Sequence, residues 1–342
     1  MENQSRLQRP NGALFLRHTV TLQRLIAGAI TALLMLASSA SAQTAGPTSP
    51  LSIRNLYPPM MRFFDPLPDS AFLQPDQQVR LEANQHYASI YHYDFLPGGN
   101  LLVDMELYVL YIVARKSISK SVELSLRLPL LIPGSGTFDS LIQNFHSKLD
   151  MPNGGRQLRG NNSFAYRFNG HWSGAAQPEL GNVVVGAKLR VAGGDNWSLA
   201  GLTAVKAPTA SKSRGWGSGA ADVAAGAVIS WASDSYFTHL EAWYIYPFAG
   251  DEAGLTYRSY GRGSVTAGLR MSESLSAVVQ AQGGQSPYVS GLPQLIHPPY
   301  LISTGLQGEA YNKLEWSIYF TENISQKTTQ DISISVNLSW LF

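Results

Sequence analysis

The sequence contains no cysteine among its 342 residues. Without a thiol, the chain can form neither a disulfide nor a thiolate metal site, and it cannot carry a lipid on cysteine. Charged residues are also scarce, at 14% where about a quarter is usual. Together with 16 tyrosines and 7 tryptophans, this scarcity is typical of a β-structure that has a lipid-facing surface.

Long apolar runs are missing from the body of the chain. The nearest approach, residues 101–114, is interrupted by Asp104 and Glu106, so we expect no membrane-spanning helix beyond the N-terminus. A mature chain in a membrane must then cross it as a closed β-barrel. Residues 43–342 hold 21 basic and 22 acidic side chains, so we expect no nucleic acid as a partner.

The N-terminus has the pattern of an export signal. Arg17 and Arg24 precede a short apolar stretch at 25–36, and the small residues Ala40-Ser41-Ala42 follow it. This order predicts a secretory signal peptide over residues 1–42, cleaved after Ala42. The alternative is an N-terminal membrane anchor, for which the apolar run is short against a span of about 20 residues.

The last twelve residues alternate most clearly. Apolar side chains occupy every second position from Ile332 to Phe342, and the positions between them are almost all polar. This pattern predicts a strand with lipid on one side, Trp340 near the interface, and Ser and Asn side chains in a wet lumen. A terminal strand ending in Phe342 also resembles the recognition signal of outer-membrane barrels, which implies the barrel-assembly machinery as a partner.

The same period-two pattern recurs along the chain. Bacterial single-chain barrels have even strand numbers, so we predict a transmembrane antiparallel β-barrel over residues 79–342, an all-β fold of about 12 strands. One of two weak candidates, 162–168 or 300–308, is then a loop. The candidate strands are 79–93, 103–113, 122–130, 162–168, 182–192, 197–206, 220–231, 235–246, 263–271, 275–284, 300–308, 313–321 and 331–342.

Two of these candidates form a predicted hairpin around a turn at 116–120. Pairing across that turn puts Arg127 opposite Tyr108 and diagonal to Glu106. The sequence therefore predicts an ion pair in the lumen, between Arg127 and Glu106.

Two segments lack the strand pattern. Residues 43–78 hold seven prolines, and we expect an irregular segment that either runs inside the barrel as a plug or lies in the periplasm. Between Ile132 and Gly160, apolar residues recur at helical spacing. These predict a helix in a long loop, placed outside the cell or in the barrel mouth.

Several short motifs carry a family resemblance through their order, mainly in residues 50–160. The motifs are Pro50-Leu51, Arg54-Asn55, Pro66-Leu67-Pro68, Leu128-Pro129, Gly134-Ser135-Gly136 with Asp139, Phe145-His146, and Pro152-Asn153-Gly154 with Arg156. Through them the chain resembles a proteobacterial family catalogued as domain-of-unknown-function family 3187, which implies an exported, barrel-forming protein and brings no established activity.

A hydrolytic site has one candidate set. His171 and Ser173 are two residues apart, hence on one face of a strand, and Asn182 follows. The set is similar to the His-x-Ser pair and later Asn of outer-membrane phospholipases, although the spacing to Asn182 and the surrounding residues depart from theirs. Chance pairs of this type are common, and a nucleophilic serine needs an adjacent, oriented base.

The remaining candidates are charged. Strand parity predicts that seven side chains project into the interior, where they either set channel selectivity or fill a small barrel. Asp139, His146 and Arg156 in the long loop belong either to a ligand-binding or plugging helix, or to a loop helix anchored by polar contacts. The seven interior candidates are Asp104, Glu106, Glu123, Arg127, His239, Glu241 and Glu315.

Three functions remain open on these grounds. The first is a pore or transport component for small solutes or amphiphiles. The second is a lipid-acting hydrolase, and the third is a structural or adhesive surface barrel. We expect the bacterial outer membrane as the location, the bilayer and lipopolysaccharide as contacts, and neither a cofactor nor a bound metal.

Overall fold

The structure is a computed structural model that describes residues 48–75, 77–96, 99–136, 139–148, 159–168, 172–252, 254–310, 314–325 and 327–342. The predicted signal peptide, residues 1–42, lies outside the described residues. Described helices are α1 (Pro58–Met61), α2 (Asp139–Lys148) and α3 (Pro293–Ile296). Within the described ranges, no helix has the length and hydropathy needed to span a membrane.

Strands make up most of the described chain. In chain order they are β1 (Val79–Leu96), β2 (Gly99–Ser119), β3 (Val122–Gly134), β4 (Ala165–Phe168), β5 (Trp172–Ser173), β6 (Glu179–Leu180), β7 (Val184–Gly193), β8 (Trp197–Lys206), β9 (Asp222–Ala232), β10 (Tyr236–Pro247), β11 (Thr256–Tyr257), β12 (Tyr260–Ser272), β13 (Leu275–Gly284), β14 (Tyr288–Val289), β15 (Tyr300–Ala310), β16 (Leu314–Asn323) and β17 (Ile332–Leu341).

Twelve long strands close into an antiparallel barrel. Each pairs with the next, and β17 returns to pair with β1, so the ring has no open edge. Short turns such as 120–121 and 233–235 join the strands at one end, called here the short-turn end. Connections such as 135–183 and 207–221 join them at the other, the long-loop end. The twelve are β1, β2, β3, β7, β8, β9, β10, β12, β13, β15, β16 and β17.

The predicted fold is confirmed. Two predicted strands, 197–206 and 275–284, match β8 and β13 residue for residue. Of the two weak candidates, 300–308 belongs to the barrel strand β15. The other, 162–168, yields the short strand β4, which extends the sheet beside β2 but is not one of the twelve. A helix in the long loop is also present, as α2.

The predicted hairpin register is wrong. Pairing of β2 with β3 continues to Ser119 and Val122, so the turn is tighter than the five residues expected. Arg127 consequently lies opposite Val113, while Tyr108 lies opposite Ile132. A bulge near Ser117 shifts the register of the hairpin. The alternation of residue types does not reveal this bulge, because the register of a hairpin also depends on the geometry of its turn.

The outer face of the barrel is apolar. Leu240 is paired with Ile229 and Val265, and these three side chains are 55%, 44% and 51% exposed. Leu338 and Trp340 extend this face across β17. Exposed apolar rows around a closed barrel suit contact with lipid hydrocarbon.

The inner face holds the N-terminal part of the chain. Residues 48–75, called here the inner segment, enter near His239, rise to α1 at the long-loop end, and descend to the start of β1. Most of their side chains are buried against the barrel wall. An apolar cluster packs Leu56, Met60 and Phe63 against the inward face of β2.

Depth in the membrane gives a stability prediction for the outer face. Leu240→Arg, near the middle of β10, should lower the free energy of unfolding by about 2–4 kcal/mol, because the charge faces the centre of the bilayer. Val191→Arg, near the short-turn end of β7, should lower it by only about 0–1 kcal/mol. Denaturant unfolding of vesicle-reconstituted protein measures both. Equal losses would contradict the assigned membrane depth.

Candidate functional site

The ascending arm of the inner segment, residues 48–57, is fixed to the wall by backbone hydrogen bonds. Gln280 of β13 accepts from Leu51 N at 2.9 Å and donates to Leu51 O at 3.0 Å. Gln330 Oε1, in the connection before β17, accepts from Leu56 N at 2.9 Å. These contacts satisfy an irregular backbone that would otherwise be buried without partners.

The tip of the inner segment closes the long-loop end. Arg62 is fully buried and pairs with Glu252 at 2.6 Å. Its guanidinium lies 4.1 Å from the centre of the Trp172 ring, a cation–π contact. Tyr288 donates to Pro59 O at 2.7 Å. The tip is therefore held by three connections between strands as well as by the wall.

The descending arm, residues 63–75, is held by apolar burial of Phe63, Phe64 and Leu67 and by contacts with charged groups. Phe64 N donates to Asp222, which also pairs with Lys206 at 3.2 Å. Lower down, Asp69 pairs with Arg115 at 2.7 Å and with Lys188 at 3.2 Å. Burial alone would raise the pKa of Asp69, but these two cations reverse the effect and leave that pKa lowered.

Unoccupied space surrounds this arm. A cleft with a cavity volume of about 70 Å³ lies between the arm and strands β2, β3, β7 and β8. A second, narrower cleft of about 20 Å³ lies on the opposite side, against β10, β12, β13 and β15. A third of about 80 Å³ opens at the short-turn end. Trp243 and Pro66 line both flanking clefts, so the arm and Trp243 form the partition between them.

Five of the seven interior candidates face inward. Glu123 pairs with Lys188 at 3.1 Å, and Glu315 accepts from Arg80 at 3.0 Å. Glu241 accepts from Asp69 N at 2.7 Å. The other two of the five, His239 and Arg127, contact Thr48 O at 2.7 Å and Asp65 O at 3.2 Å. All five thus contact either the inner segment or other charged groups of the wall.

Asp104 and Glu106 do not face inward, so their predicted orientation is wrong. Directly paired residues share a face, and Glu106 has the same parity as Tyr108 and the outward residues of β1 and β17. Asp104 pairs with Arg159 at 2.6 Å. The apolar face of β2 points inward instead, because it packs on the inner segment and not on water.

The three candidates in the long loop differ in where they lie. Asp139, at the start of α2, is buried and accepts from Asn162 N at 2.7 Å. His146 belongs to α2, and Arg156 lies outside the described residues.

The hydrolytic set is not assembled in the described residues. Ser173 is exposed in β5, and its backbone N–H donates to Ser213 O at 3.2 Å. Asn182 is buried and accepts from Ala210 N at 3.3 Å. His171 lies outside the described residues. In the part of the chain that is described, no three His, Asp or Glu side chains group as a metal site would require.

Sequence reasoning missed the anchors of the inner segment. Arg62, Asp65 and Asp69 were not singled out, because their partners lie 190, 197 and 46 residues further along the chain. The available signal was the presence of charged residues in a proline-rich segment that has no strand pattern. A charge there needs a buried partner if the segment enters the barrel.

The family model for "Protein of unknown function (DUF3187)" matches residues 25–342, so the chain belongs to that family. No curated protein matches the sequence. Among solved structures, the COG4313 outer membrane channel from Pseudomonas putida F1 is similar at TM-score 0.55 and 8% identity, over 81% of this chain and 100% of that chain. The NanC and KdgM porins give TM-scores of 0.44 and 0.42 at 9% and 6% identity, each over 76% of this chain and 98% of theirs.

The shared fold with the COG4313 channel is that of an outer-membrane β-barrel. A barrel of this kind contacts the lipid bilayer through its outer face. The apolar rows that include Leu240 and Trp340 are therefore the lipid-contacting surface.

The ion pairs of Asp69 predict how firmly the descending arm is held. Asp69→Asn removes the shared partner of Arg115 and Lys188, and should destabilise the docked arm by about 1–3 kcal/mol. Hydrogen exchange of residues 64–74 should then accelerate about tenfold or more.

The same ion pairs make the stability of the docked arm depend on pH. Because the folded-state pKa of Asp69 is lowered from 3.8, the contribution of Asp69 to this stability is complete above that value and is lost as pH falls through the lowered pKa.

A matched control is Glu315→Gln, which breaks an ion pair with Arg80 within the wall. This variant should leave exchange of residues 64–74 unchanged. Similar acceleration in both variants would show that Asp69 is not a specific anchor of the arm.

Proposed function

We propose that this DUF3187 protein is a gated diffusion channel for small solutes or amphiphiles in the bacterial outer membrane, with the descending arm of the inner segment as its gate. The observation that carries the proposal is the unoccupied space on both sides of that arm. A barrel with a purely structural role needs no such space, since protein interiors are otherwise closely packed.

The contacts of the arm suit a part that moves. Between Asp69 and Gln74 it is held by ion pairs and hydrogen bonds to Arg115, Ser198 and Ser230. Water can replace such contacts at modest cost when the lumen is wet. The tip and the upper part of the arm, down to Leu67, are in contrast buried in an apolar cluster whose exposure would cost far more. The lower part of the arm, residues 69–75, therefore moves while the tip and the upper part stay in place.

The location follows from several properties together. The predicted signal peptide provides export, and a closed barrel with an apolar outer face requires a bilayer. Phe342 directly follows the final strand and its backbone pairs with Val79 at the start of β1, where the barrel-assembly machinery would recognise it. Lipopolysaccharide is the expected contact around the long-loop end.

A disulfide that ties the arm to the wall tests the gate. Ser70 Oγ lies 3.5 Å from Ser230 Oγ of β9, and the chain has no cysteine to interfere. In planar-bilayer recordings of Ser70→Cys/Ser230→Cys, we expect discrete single-channel openings under reducing conditions and at least about a fivefold loss of open events on oxidation, since the bond holds the arm docked.

The matched control is Ser303→Cys/Thr321→Cys, whose parent hydroxyls lie 2.7 Å apart on neighbouring wall strands. Oxidation there should leave conductance unchanged. Equal conductance of the tied and untied arm would contradict a moving gate. A folded, heat-modifiable barrel that stays silent when reduced would refute the channel itself.

A further inference from the structure

The centre of the barrel holds more positive than negative charge. Three buried guanidiniums, those of Arg54, Arg127 and Arg262, surround the carboxylate of Asp65. That carboxylate pairs with Arg262 at 3.0 Å and accepts from Asn55 N at 3.0 Å. Among the described residues, no carboxylate lies within 4 Å of Arg54 or Arg127. Two buried cations thus remain without a direct counter-charge.

Arg54 forms its hydrogen bonds with neutral groups, and its buried Nε has no acceptor. It donates to Phe63 O at 3.0 Å, to Met61 O at 3.5 Å and to Tyr111 at 3.3 Å. These bonds join the ascending arm to the descending arm, so Arg54 has a structural role within the inner segment.

Arg127 has spare donor capacity. Its one hydrogen bond in the described structure goes from Nη2 to Asp65 O at 3.2 Å, and its buried Nε has no acceptor. The rings of Phe64 and Tyr111 lie 5.7 and 5.8 Å from its Cζ. A guanidinium held between aromatic rings with an unused donor is suited to a planar anion, because the two can form paired hydrogen bonds.

Arg127 lines the cleft of about 70 Å³ between the descending arm and strands β2, β3, β7 and β8. The other charges of this cleft are already paired, Asp69 with Arg115 and Glu123 with Lys188. The cleft therefore offers one uncompensated positive charge. Its apolar lining consists mainly of Phe64, Leu67, Val113, Val184, Leu202 and Trp243.

We propose that this cleft binds an amphiphilic organic acid, with the carboxylate on Arg127 and the apolar body against the side chains that line the cleft. A bound carboxylate would supply the counter-charge that Arg127 lacks, and the apolar body would displace water from the lining. The evidence for the binding site is the geometry of Arg127 and the cleft. Only the further conclusion, that such an acid is the class of solute transported, rests on the proposed channel.

Benzoate is the probe, because it joins a carboxylate to a small rigid apolar body. Isothermal titration of the refolded full-length mature protein should show saturable binding of benzoate. Benzamide lacks the charge and acetate lacks the apolar body, so each should bind about tenfold more weakly or worse. Equal binding of benzamide and benzoate would overturn the proposed role of Arg127.

Arg127→Gln should lower benzoate affinity about tenfold or more, and Arg127→Lys should lie between, because lysine keeps the charge without the planar fork. Ala204→Leu, which fills the cleft and leaves Arg127 in place, should weaken benzoate binding as well. Arg80→Gln, at a half-buried wall arginine already paired with Glu315, should stay within about twofold of the parent affinity. Heat-modifiable mobility establishes that each variant is folded.

The channel and the binding site for the organic acid can be refuted independently of each other. The binding site is refuted if folded Arg127→Gln binds benzoate as tightly as the wild type. It is also refuted if a barrel that conducts shows no saturable benzoate binding. Neither result contradicts the channel. Saturable, Arg127-dependent binding in a barrel that never conducts supports the site and refutes the channel.

Discussion

A closed ring of twelve strands has an interior too wide for its own side chains to fill, and the rest of this structure depends on how that interior is occupied. About eight strands are the limit at which inward side chains alone fill a barrel. Here residues 48–75 fold back into the lumen and supply the missing volume. Each buried polar group of that segment then needs a partner on the wall, which determines where the wall carries Arg115, Lys188 and Gln280.

The inner segment also explains which parts of the fold could be predicted from sequence. Strand β17 faces lipid on one side and polar groups on the other, so its period-two pattern predicts its bounds to within one residue. In β2 the rule that polar residues face the lumen fails. Val109 and Tyr111 face inward because the neighbour there is the apolar tip and not water. No local pattern in β2 distinguishes these two surroundings.

The candidate site was predictable only in part, for a related reason. Glu123, Arg127 and Glu241 follow from strand parity, which is a local property. Their partners depend on contacts that join Asp65 and Asp69 to strands far along the chain. Register added a further error, because one tight turn with a bulge moved Arg127 from Tyr108 to Val113. Distant pairing and exact turn geometry are both outside what a pattern of alternation specifies.

The tip and the lower part of the descending arm are stabilised by different interactions, and this difference links stability to function. Apolar burial at Met60 and Met61 is lost whenever the tip moves, whereas the ion pairs of Asp69 can exchange for water. An arm that must leave and return is therefore better held by charges than by a sealed core. The same requirement leaves space beside the arm, and in that space Arg127 remains without a carboxylate. The proposed mobility of the arm and the unpaired charge beside it are thus two consequences of one way of filling a wide barrel.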